Sequence, residues 1–181
     1  MYHIHFTDQG VEFRDYPFPP ASVYPRGIVP YTEIANLDPA SNPPEIRLNS
    51  GEILFLSAFY KDDLLQISER QGLAITERED NWSLLLEPFL DTELDAEWQK
   101  STIQSLTSRG FSLEEINEIR HKVDSKMTRY NFIHMEWHNL GLYDLLDAYM
   151  GQQCFIIRHL KSRRNLYWYA MDISNRGNKI D

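Results

Sequence analysis

The sequence predicts an α+β protein in two parts: a β-rich domain over residues 1–80, then a helical domain over residues 81–181 packed against it. Two observations carry this. Apolar and polar residues alternate in the early part (Tyr2, Ile4 and Phe6 against His3 and His5), whereas from Asn81 onward apolar residues recur at helical spacing. Charge changes at the same place. Residues 1–95 hold 17 Asp or Glu against 6 Lys or Arg, and residues 96–181 hold 10 against 12. The boundary is expected near residues 78–92.

Taken in order, Tyr2 to Phe6 reads as a strand with one apolar face. Thr7-Asp8-Gln9-Gly10 is a turn, and Val11-Glu12-Phe13 resumes the alternation as the second arm of a hairpin. Tyr16 to Pro30 holds five prolines, which lack the amide a sheet needs, so it is expected to be a loop or an irregular edge. A second hairpin runs from Glu45-Ile46-Arg47-Leu48 through the turn Asn49-Ser50-Gly51-Glu52 into Ile53 to Ala58. Lys61 to Arg70 is an amphipathic helix with Leu64, Leu65 and Ile67 inward and Gly72 as its stop. Leu73 to Thr76 is a candidate short strand.

Three features of residues 1–80, the opening hairpin, the segment Ile28-Val29-Pro30-Tyr31-Thr32-Glu33-Ile34, and the run IRLNSGEILFL followed by the helix KDDLLQISER, together resemble the bacterial pleckstrin-homology-like family. The resemblance implies a small β-barrel or sheet and a binding module more than an enzyme. The chain departs from lipid-binding members of that family. Its first half is acidic and has no Lys/Arg cluster between the early strands, which argues against phosphoinositide binding.

In the second part, Asp80 or Asn81 caps a short helix that Pro88 should end or kink. Asp91 or Thr92 starts the next, with Leu94, Trp98, Ser101 or Thr102, and Ser105 or Leu106 on one face and Arg109-Gly110 as the stop. Ser112-Leu113-Glu114-Glu115 matches a capping box, preceded by Phe111 as a staple residue. From there Leu113, Ile116, Ile119, Val123, Met127 and Tyr130 make one apolar stripe. Tyr130 to Met150 is expected to be a helix, apolar nearly all round and forming the core of the second part. Asn165 to Asn175 reads as the last helix, and the conformation of residues 151–164 is left open.

Composition narrows the function. A net charge of −9 argues against general binding to polyanions, whether nucleic acid or anionic membrane. One cysteine, Cys154, excludes an intrachain disulfide and a CxxC zinc site, which suits a reducing, cytoplasmic location. MYHIHFTDQG does not read as a signal peptide, and no run of about 18 apolar residues spans a membrane. No GxGxxG or phosphate loop is present, so no nucleotide cofactor is expected.

The candidate chemistry lies late in the chain. His134 and His138, four apart, share a helix face and form the candidate metal pair, against a reading as structural histidines. Asp144 and Asp147, in line with Glu136, are either an acid/base or cation pair or partners of Arg120, Arg129 or a later arginine. Glu118 and His121 have a di-iron spacing, but the motif occurs once and on a polar face. Arg158, Lys161, Arg163 and Arg164, followed by Trp168, are the candidate binding residues for nucleic acid, against a solvated face or a contact with the acidic first half.

Three functions follow. The first is a non-catalytic cytoplasmic binding or assembly module that takes a protein partner or forms a homodimer, suited by its four Trp and ten Tyr. The second is a metal-dependent hydrolase or oxidoreductase using His134 and His138. The third is a nucleic-acid accessory protein using Arg158 to Trp168.

Overall fold

The computed structural model describes residues 2–90, 96–134, 139–150 and 160–177. It is bipartite and α+β. Two three-stranded antiparallel sheets come first, and six α-helices follow among the described residues. The chain forms two compact units. One is built from residues 2–78, 150 and 160–171, the other from the described residues of 79–149 and 172–177.

In the first unit, β1 (His3–Phe6), β2 (Gly10–Arg14) and β3 (Arg26–Pro30) form one meander. The hairpin register pairs Ile4 with Phe13 and Phe6 with Val11, so the predicted apolar face forms. Residues 26–30, expected as loop or irregular edge, are a regular edge strand. Pro30 is its last residue, where a missing amide interrupts little of the ladder. A buried aromatic chain runs from this sheet to Phe55: Phe13, Tyr16, Phe18 and Phe55 meet edge to face at 5.4, 5.7 and 6.2 Å. The Phe55 amide donates to the Tyr16 hydroxyl at 3.0 Å, so the tyrosine's polar end is also satisfied.

The second sheet contains β4 (Ile34–Asp38), β5 (Glu45–Leu48) and β6 (Ile53–Phe55). The expected hairpin is present, with Ile46 opposite Leu54. β5 departs from the simple reading, because all four of its residues are buried rather than alternate ones. Residues 73–78 lie over its polar face as a strap. The Leu37 amide donates to Ala74 O and the Thr76 amide to Leu37 O, both at 2.9 Å. The candidate strand at 73–76 is therefore a single parallel bridge, Leu37 to Ile75. Helix α1 (Lys61–Gln71) buries Leu64 and Ile67, leaves Leu65 exposed, and stops at Gly72 with φ 66°, a left-handed conformation that glycine adopts without a Cβ penalty.

In the second unit, α2 (Asn81–Leu86) passes into a single 3₁₀ turn over Glu87–Phe89, where Pro88 stands. Helix α3 (Ala96–Ser108) buries Thr102 and Leu106, but Trp98 is exposed, its indole N–H donating to Glu87. The proposed start at Asp91 or Thr92 lies outside the described residues. Helix α4 (Leu113–His134) has the serine half of the expected capping box, the Glu115 amide donating to Ser112 Oγ at 3.1 Å. The Glu115 carboxylate takes Arg176 Nη1 at 2.6 Å, and that guanidinium lies 4.2 Å over the buried Phe111 ring. The buried stripe is Ile116, Ile119, Val123 and Met127, and Leu113 is solvent-exposed.

The single helix expected over 130–150 is two. Helix α4 ends at His134, α5 spans Leu142–Met150, and residues 139–141 are not helical. The physical cause is a new helix start. Leu145 N–H donates to Gly141 O, Gly141 N–H donates to Asp144 Oδ2 at 2.8 Å, and Leu142 N–H donates to Asp80 Oδ2 at 2.7 Å. Asp144 thus reaches back as the third residue of a capping box, while Asp80 supplies the cap oxygen that glycine lacks. Leu142, Leu145 and Leu146 are buried, whereas Phe132 and Ile133 at the end of α4 are exposed. Helix α6 (Leu160–Asn175) begins before Asn165 and buries Tyr167, Ala170, Met171 and Ile173.

Candidate functional site

The titratable residues singled out in the sequence come together in part, between α4 and α5. Tyr130, on the last turns of α4, places its hydroxyl 3.3 Å from Asp144 Oδ1 and 3.2 Å from Asp147 Oδ2. The helical spacing of three puts both carboxylates on one face of α5, so they reach the same phenol. Burial, and then the charges of Asp144 and Asp147, push the Tyr130 phenol far above the usual tyrosine value. Burial and the same two charges push Tyr143 in the same direction. Tyr130 therefore keeps its proton, and one O–H can donate to only one of the two carboxylates at a time.

His134 stacks flat on Tyr130, with ring centroids 4.1 Å apart and 17° between planes. It is exposed, on the last residue of α4. Its proposed companion His138 lies outside the described residues, as do Glu136, Cys154 and Arg158. Among the described residues, no three of His, Cys, Asp and Glu are grouped so as to hold a metal ion. Glu118 and His121 both lie on the exposed face of α4.

No family model, curated protein or solved structure matches this chain.

Arg120, one of the arginines offered as partners for Asp144 or Asp147, bonds backbone carbonyls of α2. Arg120 donates through Nε to Leu85 O and through Nη2 to Leu84 O, each at 3.1 Å. It satisfies carbonyls at the end of α2, which have no helical partner of their own. Burial lowers its pKa, opposed by the charge of Glu87, without removing the charge of a guanidinium.

In the basic segment, Lys161 and Arg164 are exposed and Arg163 is half-buried on the first turns of α6. Trp168 is half-buried and meets Tyr167 edge to face at 5.6 Å. Tyr167 is fully buried, so its ring offers no face for a base to stack on. Its hydroxyl donates to Glu52 Oε1 at 2.8 Å, and the Ser22 amide donates to the same oxygen at 2.9 Å. No described helix is long and apolar enough to cross a membrane.

A buried ionic cluster in the first unit, not anticipated from the sequence, is made by described residues of β4, β5 and the strap. Arg47 donates to Asp38 Oδ2 at 2.5 Å, to Glu45 Oε2 and Asn36 Oδ1 at 3.1 Å, and to Thr76 O at 2.9 Å. Arg78 adds its amide to Asp38 at 3.2 Å and its guanidinium to both oxygens of Glu45 at 3.3 Å. All four charged side chains are buried, two cations against two anions. Its sequence signal was the alternation of Asn36 and Asp38 and of Glu45 and Arg47 with apolar residues, and the register pairs Asn36 with Arg47 and Asp38 with Glu45. That puts every polar residue of the hairpin on one face. Nothing local showed that the strap, with Arg78 at its end, would cover it.

Proposed function

We propose that the chain is a non-catalytic binding or assembly module that contacts another protein, a second copy of itself included. The observation supporting this most directly is the end of α4, where Phe132 is 81% exposed and the adjacent Ile133 57% exposed. Covering such a side chain fully is worth on the order of 1.5–3 kcal/mol, and an aromatic brings the larger share. In the first unit Phe59 is 84% exposed and packs edge to face on Tyr60 at 5.4 Å, an aromatic pair suited to a contact surface. The pleckstrin-homology-like resemblance of residues 1–80 leans the same way, and two small antiparallel sheets followed by α1 are compatible with it.

The test measures solution mass by light scattering and partner retention with the chain as bait, for the natural sequence and for Phe132→Ser with Ile133→Ser. The natural chain is expected to run above monomer mass or to retain a specific partner. The double variant should lose that behaviour with unchanged far-ultraviolet circular dichroism. A strict monomer that retains nothing overturns the proposal.

A further inference from the structure

We draw no further inference here: the strongest candidate, the Tyr130–Asp144–Asp147 side-chain cluster between α4 and α5, belongs to the site already described and is an acidic cluster at which no independent observation points to a ligand.

Discussion

Asp80 and Leu142 are 62 positions apart, and the amide of Leu142 donates to the carboxylate of Asp80 at 2.7 Å. The other oxygen of the same carboxylate accepts the Trp82 amide at 3.0 Å and the Ser174 hydroxyl at 3.3 Å. One side chain therefore caps two helices, α2 through Oδ1 and α5 through Oδ2. It also ties the end of α6 to both.

Loss of that double cap should be measurable. A single N-cap is worth about 1 kcal/mol, so Asp80→Ala is expected to cost about 2–3 kcal/mol in urea unfolding. Asp80→Asn, which keeps one acceptor, should cost less. Gly141→Ala is the sharper probe, because a Cβ there would stand 2.8 Å from Asp80 Oδ2. Alanine is also a poorer N-cap residue than glycine, so this variant should destabilise, chiefly by displacing the carboxylate. A neutral or stabilising Gly141→Ala would contradict the shared cap.

The ionic cluster makes a larger prediction. Removing one partner of a buried ion pair leaves uncompensated charge and costs about 3–5 kcal/mol. Arg47→Met should reach that range, because Asp38 and Glu45 both lose their central cation. Arg47→Lys is expected to rescue little, since a single ammonium cannot reproduce a fork that serves Asp38, Glu45, Asn36 and Thr76. Denaturant midpoints for the two variants check this, and a loss below about 1 kcal/mol for Arg47→Met would refute it.

Stability should fall in alkali for a reason that can be traced. Tyr130, Tyr143 and Tyr149 all have phenol pKa values raised above 10.0, burial being the largest cause in each. Above that value the unfolded chain releases protons that the folded chain retains, so the stabilisation present below pH 10.0 is lost as pH rises. Unfolding free energy measured from pH 9 upward should be flat at first and then decline past about pH 10. Tyr130→Phe should make that decline shallower. An unchanged alkaline slope in the variant would show that Tyr130 does not contribute.

His134 is expected to be dispensable for stability. It is exposed and stacks on one face of Tyr130, so His134→Ala should stay within about 0.5 kcal/mol of the natural chain. Elemental analysis of purified protein is expected to find no stoichiometric metal. A bound zinc or iron that is lost in His134→Ala would replace the assembly reading with the metal-dependent one.

What could be read in the chain was whatever a few neighbouring residues decide together. Alternation at Tyr2–Phe6 specified an apolar strand face, Gly72 a left-handed stop, and Ser112 an oxygen within reach of the Glu115 amide. Each of these needs only local backbone geometry. The burial of Tyr167 against Glu52 was not legible for the opposite reason, since it depends on a residue 115 positions away.

The sequence by itself determined the α+β division, both early hairpins and the caps of α2 and α4, because these depend on short-range periodicity and hydrogen bonding. Only the tertiary structure decided where α5 begins, that both faces of β5 are covered, and what Asp144 and Asp147 touch. Those outcomes turn on Asp80, on the strap ending at Arg78, and on Tyr130. Each acts through a contact across the fold, which spacing along the chain does not encode.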